Sequence, residues 1–272
     1  MEPADDAIVR HYQAHQEEAR ISEGFGQLEL LRAQEVLGRH LPHPPASVLD
    51  VGGGTGVHAR WLAADGYQVH LIDLAPRHVA KANADLGGLG VTAELGDARN
   101  LPVSDGTYDV VLMFGPLYHL TERHDRLSAL REAVRAVRPG GVVAVAAVSR
   151  FASLFDGLAR QYLFDPEFRS IATQDLREGQ HRNPGERPGW WTTAYFHRPD
   201  ELRDEVNEAG LDVRELVGLE GLALWLPQLA DRWADPDDRE AILWSSRAIE
   251  SEPSLAGLSA HLLVVAGRNA ER

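Results

Sequence analysis

Asp50-Val51-Gly52-Gly53-Gly54-Thr55-Gly56 follows directly on Ser47-Val48-Leu49 and decides how the rest of the chain reads. A short apolar strand ends in glycines, and helical spacing at Val57, Trp61 and Leu62 then runs to Gly66, which makes a strand, a tight turn and a helix. The glycines stand where the backbone must bend sharply and admit a ligand with no side chain in the way. A dinucleotide turn spaces its glycines G-x-G-x-x-G. Counted from Gly52 and Gly54 it requires glycine at 57, where Val57 stands, and counted from Gly53 it fails at Thr55. No lysine followed by Ser or Thr closes the turn, so it is not a P-loop either. The spacing present is G-x-G-x-G.

The strand-and-helix rhythm continues on both sides. Phe25 to Leu41 reads as a leading helix stopped by Pro42-His43-Pro44-Pro45. Tyr67 to Leu74 alternates as a strand, Arg77 to Leu86 is helical, and Val91 to Leu95 and Tyr108 to Phe114 are strands. Thr121 is placed to cap a helix running to Val137, Pro139-Gly140-Gly141 stops it, and Val142 to Val148 is a fully buried strand. Ser149 to Arg198 is rich in aromatics and arginine without a clean strand, and reads as a helical insertion or lid. Pro199 to Ala209 is a helix, Val213 to Leu219 a strand, and Leu222 to Ser254 mostly helical with Asp235 as cap before Pro236. Ala260 to Gly267 is a last strand. The expectation is an α/β, doubly wound sheet with helices on both faces. One domain spans 1–272, with a leading helical segment at 1–45, a lid-like insertion at 149–198 and a helical insertion at 220–258.

Composition narrows the partners. Asp and Glu number 41 against 27 Lys and Arg, a formal charge of -14, which repels a phosphate backbone or anionic lipid. The basic strip Arg177, His181, Arg182, Arg187 is broken by Glu178 and Glu186 and reads as a solvated loop. Nucleic acid and membrane are therefore not expected partners. Cysteine is absent, which excludes disulfides, thiolate metal sites and a cysteine nucleophile. The start, Met1-Glu2-Pro3-Ala4-Asp5-Asp6, lacks signal regions, and the longest apolar run, Val142 to Val148, is far short of the ~20 residues that span a bilayer. The expected location is the cytoplasm.

At Asp50, Gly52, Gly54 and Gly56 the chain resembles the class I S-adenosylmethionine-dependent methyltransferases, whose first motif is an acidic residue followed by G-x-G-x-G. The resemblance runs on through Val69-His70-Leu71-Ile72-Asp73, Gly96-Asp97-Ala98, Phe114-Gly115-Pro116-Leu117 and Arg138-Pro139-Gly140-Gly141, in order from Val48 to Val148. It implies a Rossmann-like sheet, mostly parallel with an antiparallel last strand. It implies a cofactor too, S-adenosylmethionine, leaving S-adenosylhomocysteine as product. In that family Asp73, with Leu74 beside it, would accept the ribose hydroxyls, and Asp97 the adenine amino group with the Ala98 amide on a ring nitrogen. Gly52, Gly53, Gly54, Gly56, Phe114 and Gly115 would lie against the methionine portion.

The acceptor side is less determined. His119 reads either as a general base near the methyl or as a histidine packed at a helix start. Tyr118 lines a pocket or belongs to the core, and Trp190, Trp191 and Tyr195 either close over the acceptor or staple a long loop. His197 reads as structural. Tyr12 and Arg20 fold over the cofactor or face solvent. There is no Asn-Pro-Pro-Tyr run for amide or adenine nitrogen, no cysteine for pyrimidine carbon, and no compact cluster of histidine and carboxylates for a catechol-type metal site. The expected acceptor is a small molecule, methylated on O, N or C, with no metal. A non-catalytic cofactor sensor or partner subunit is the alternative, and a nicotinamide oxidoreductase a third reading.

Overall fold

A computed structural model describes residues 25–269. Tyr12 and Arg20 lie outside the described residues. Helix α1 (Phe25–Gly38) leads, followed by β1 (Ser47–Val51), α2 (Val57–Ala64), β2 (Gln68–Asp73), α3 (Pro76–Leu86), β3 (Thr92–Leu95) and β4 (Tyr108–Met113). Next come α4 (Pro116–His119), α5 (Arg123–Ala136), β5 (Val137–Ser149), α6 (Ala152–Ala159), α7 (Pro166–Glu178), β6 (Gln180–His181) and β7 (Ala194–His197). The chain finishes with α8 (Pro199–Glu208), β8 (Leu211–Gly218), α9 (Leu229–Ala234), α10 (Pro236–Ile249) and β9 (His261–Arg268).

The main sheet runs β3-β2-β1-β4-β5-β9-β8. Its first five strands are parallel, and β9 is antiparallel to both β5 and β8. It is the mostly parallel, Rossmann-like sheet with an antiparallel last strand that the motifs implied. Alternate residues divide it into two apolar faces: Leu49, Val51, Val111, Val143 and Val264 meet α5 and α8, while Val48, Val110, Leu112, Val265 and Leu263 meet α1, α2 and α3. Such side chains contribute roughly 1.5–3 kcal/mol each when fully buried. The carboxyl ends of the parallel strands share one rim with the start of β9, because Val148 pairs with His261. Open α/β sheets bind ligands along that rim.

Three local expectations change. Helix α5 starts at Arg123 after Glu122, and Thr121 makes no cap; its carbonyl instead accepts from Arg126 Nη1 at 2.8 Å and Gln180 Nε2 at 2.9 Å. Strand β5 begins at Val137, since Arg138-Pro139-Gly140-Gly141 is absorbed as a register shift and Arg138 Nε reaches Asp109 Oδ1 at 2.5 Å. The stretch 149–198 does contain strands: β7 pairs with β5 at Val148 and Ser149, and β6 pairs with β7. Among the described residues no helix is long and apolar enough to cross a membrane.

Candidate functional site

The turn after β1 lies on the rim and its glycines are left-handed, with φ of +69° at Gly52, +59° at Gly54 and +92° at Gly56. The positions differ in surroundings. A Cβ on Gly52 would meet Pro116 Cδ at 2.5 Å, and one on Gly115 would meet the Gly52 carbonyl oxygen at 3.0 Å. The turns after β1 and β4 are thus packed on each other. A Cβ on Gly54 would enter open space. That is the place where a ligand can approach the backbone.

Two carboxylates lie beneath. Asp73 Oδ2 accepts the Gly54 amide at 2.9 Å, and Oδ1 accepts the Ala75 amide at 2.8 Å and His78 Nδ1 at 3.1 Å, so the end of β2 holds the turn. Asp50 is fully buried and neither of its oxygens has a hydrogen-bond partner. Burial pushes its carboxyl up to about 7, the charge of Asp73 adds to this, and the Ala59 amide nearby, short of a full hydrogen bond, opposes it. A folded-state value raised from the ordinary carboxylate range means that stability is full below about pH 4 and falls as pH rises to about 7. Asp50→Asn is therefore expected to gain on the wild type across that window, by on the order of 4 kcal/mol. Thermal unfolding of both proteins between pH 4 and 8 checks this; parallel curves would show that Asp50 carries no buried charge.

Asp97 follows β3 in a tight turn, where the Asn100 amide bonds to its carbonyl at 3.0 Å. Its carboxylate is spanned by the Arg99 fork, with Nη2 at 2.6 Å from Oδ2, and also takes the Arg99 amide at 2.8 Å. Burial would raise Asp97, but the Arg99 side chain and amide outweigh it and hold the carboxyl below its ordinary value. Leu74 and Ala98 are half-buried beside these acids.

On the other side of the turn, Phe114 packs tilted on His58 of α2 with ring centroids 4.4 Å apart. Burial pushes His58 down to about 4, against the charge of Glu29. Tyr118 donates to the Phe114 carbonyl at 3.2 Å and packs on a buried cluster of Val148, Ala152, Ala194, Phe196 and Ala260, as Trp191 and Trp225 also do. His119 ends α4, tilted on Tyr118 at 4.7 Å.

The aromatics of the insertion divide. Trp190 is 5% exposed and corrects the acceptor-side expectation: it packs edge-on to Phe168 at 5.1 Å, so its ring is spent on the insertion's own core. Trp191, held at φ +66°, donates Nε1 to Asp156 at 3.3 Å and leans edge-on against Phe196. Tyr195 lies under the Arg126 guanidinium, 3.6 Å from the ring centroid, and accepts from Arg150 Nη2 at 3.2 Å. It too is taken up in packing. His197 is fully buried against Glu205 at 3.3 Å, structural as expected.

One cluster was not foreseen. Glu29 of α1, Glu220 after β8 and His261 of β9 bring a carboxylate oxygen or ring nitrogen each within 4.8 Å of the others. The expectation of no compact histidine and carboxylate cluster therefore fails. Glu29 is nearly 200 residues from Glu220, and Glu220 is 41 from His261, so no local spacing announces them.

Comparison with known proteins agrees with this geometry. A family model described as a methyltransferase domain matches residues 48–141. The ubiquinone biosynthesis O-methyltransferase of Pseudomonas aeruginosa is 32% identical over 181 residues, which are 63% of this chain and 67% of that protein. A solved methyltransferase from Methanosarcina mazei superposes with a TM-score of 0.59 at 16% identity, covering 87% of this chain and 98% of that one. A possible histamine N-methyltransferase from Thermotoga maritima gives 0.58 at 18% identity, covering 98% and 100%. At these identities the structural likeness speaks to the fold alone. The curated relatives are matched over about two thirds of their length.

Proposed function

Because the chain belongs to the class I S-adenosylmethionine-dependent methyltransferases, with curated relatives that are O-methyltransferases, we propose that its acceptor is a hydroxyl group on a flat aromatic compound. The cofactor, when bound, supplies a methyl already activated on a sulfonium. The residues present fit it. A cation suits a turn whose Gly54 amide is held by the Asp73 carboxylate and whose Gly53 lies on the buried Asp50 carboxyl, and the open space at Gly54 leaves room for it. The open space at Gly54, whose amide is held by Asp73, is the observation that carries the cofactor reading.

Asp73 keeps acceptor capacity for a ribose hydroxyl after its three bonds, since a carboxylate offers about four lone-pair directions. Asp97, fixed by Arg99, and the Ala98 amide take the adenine edge. Phe114 and Gly115 would flank the methionine portion, and Tyr118, Trp191 and Trp225, packed on one buried cluster, would supply the aromatic wall of the acceptor side. The wall favours a flat ring and excludes water from the displacement. His119 stays in this proposal as a residue near the acceptor. The choice of oxygen rests on relatives named as O-methyltransferases.

The test is incubation with S-adenosylmethionine and 2-aminophenol, which offers an oxygen and a nitrogen on one ring, with fragmentation of the product by mass spectrometry. A methyl on oxygen is expected; a methyl only on nitrogen would overturn the assignment.

A further inference from the structure

His58 is the second residue of α2, two places past Gly56, and belongs to none of the motifs above. Its side chain is half-buried and its ring packs tilted on Phe114, with centroids 4.4 Å apart. One turn further along α2, Trp61 donates its Nε1–H to His58 Nδ1 at 3.3 Å. An indole nitrogen only donates, so Nδ1 carries a lone pair and the neutral ring keeps its proton on Nε2. Burial pushes the imidazole down to about 4, although the charge of Glu29 acts the other way, so the ring is neutral at pH 7. Trp61 thereby fixes the tautomer. What remains is one N–H donor, Nε2, which meets no hydrogen-bond partner among the described residues and is not sealed off from solvent.

The surroundings suit an anion at that donor. Helix α2 begins after Gly56, which has no side chain to cap it, and no acid stands in its first turn, so the positive end of the helix favours negative charge from a ligand. The open space at Gly54 lies just before it in the same turn. Phe114, which the His58 ring touches, is the residue set beside the methionine portion above. The charge of Glu29, felt at His58, suits an ammonium close by. An α-amino acid carries both groups on one carbon.

We propose that His58 holds the carboxylate of the cofactor's amino-acid end through Nε2–H, with Trp61 as the positioning residue that keeps the proton on that nitrogen. The inference rests on the placement of the methionine portion at Phe114 given above. A neutral donor has a physical advantage here. An ionised side chain would bring a positive charge beside the sulfonium and ammonium of the same ligand, whereas an imidazole N–H binds the carboxylate without adding to that repulsion. Trp61 acts through His58: it is half-buried, packed on the apolar face behind α2, and its only polar atom is used on Nδ1.

The test is calorimetric titration with S-adenosylhomocysteine and with 5′-methylthioadenosine, which keeps the nucleoside and the sulfur but lacks the amino-acid end. His58→Leu is expected to bind S-adenosylhomocysteine about 10–100-fold more weakly than the wild type, the usual worth of a hydrogen bond to a charged group, and 5′-methylthioadenosine equally well. His58→Gln, whose amide still donates, recovers part of the loss. Trp61→Phe frees the imidazole to hold its proton on either nitrogen and loses roughly 2–10-fold, on S-adenosylhomocysteine alone. Nitrogen NMR shifts of His58 in the unliganded wild type are a second readout: a protonated Nε2 and a bare Nδ1 are expected, and a mixture of tautomers in Trp61→Phe. Equal losses for the two ligands in His58→Leu, or a loss with neither, would overturn the contact. So would a proton on Nδ1 in the wild type, a result that requires no variant to fold. A Gly54→Val protein that binds S-adenosylhomocysteine as the wild type does would instead overturn the placement of the cofactor on which this proposal rests.

Discussion

Gly54→Val is expected to leave the protein folded while weakening its affinity for S-adenosylmethionine by roughly 100-fold or more. Gly54 is left-handed at φ +59°, and a β-branched side chain there costs about 1–3 kcal/mol of strain. A Cβ meets no protein atom within 4 Å, so nothing in the fold has to move. Domains of this kind have about 5–15 kcal/mol in hand and survive that loss. What the valine fills is the open space at Gly54, beside Asp73, that a ligand requires. The neighbouring glycines make the contrast. A Cβ on Gly52 would lie 2.5 Å from Cδ of the rigid Pro116 ring, so valine there is expected to disrupt the turn itself, and one on Gly56 would overlap buried Leu86, so valine there is expected to lose stability. Circular dichroism melting and calorimetric titration separate the two outcomes. A Gly54→Val protein that binds as the wild type does would place the cofactor elsewhere.

Arg126→Met is expected to cost about 3–5 kcal/mol of stability, because it strips one partner from a buried ion pair. Arg126 is 2% exposed, and its fork meets Glu205 at 2.9 and 2.7 Å while the Leu120 and Thr121 carbonyls take Nη1 at 3.0 and 2.8 Å. Its loss leaves a charge and two carbonyls unanswered beneath Tyr195. Burial would raise Glu205, but hydrogen bonds from His197 and Arg126 outweigh it and hold the carboxyl at about 2. A depressed folded value means that this contribution is present above the ordinary glutamate range and disappears as pH falls toward 2. Urea unfolding at pH 7 should therefore separate the two proteins widely, and at pH 2 to 3 the gap should shrink. Replacing Glu205 as well, with leucine, should recover part of the loss. A gap independent of pH would mean that packing under Tyr195, and not the ion pair, carries the cost.

The fold was legible because each strand of the first half ends in a backbone requirement that sequence displays. Gly52 to Gly56, Asp73, Asp97 and Phe114-Gly115 recur at one rim because consecutive parallel strands bring their carboxyl ends there. Asp235 before Pro236 likewise announced a cap, and its side chain does accept the Asp237 and Asp238 amides. Thr121 misled because the same residue type serves a cap or a loop, and Arg126 claims its carbonyl. Trp190 misled because an aromatic in an insertion serves that insertion's own core as readily as a ligand. Strands β6 and β7 are too short for alternation to show, at two and four residues. The Glu29, Glu220 and His261 cluster could not be read from any window, since only the antiparallel return of β9 carries His261 to the rim.

The most direct measurement is calorimetric titration of the full chain with S-adenosylhomocysteine and, in parallel, with NAD. One site per chain for S-adenosylhomocysteine, absent in Gly54→Val, and no heat with NAD is the predicted result. Saturable binding of NAD with none of S-adenosylhomocysteine would contradict the assignment of the glycine turn, and every role built on it.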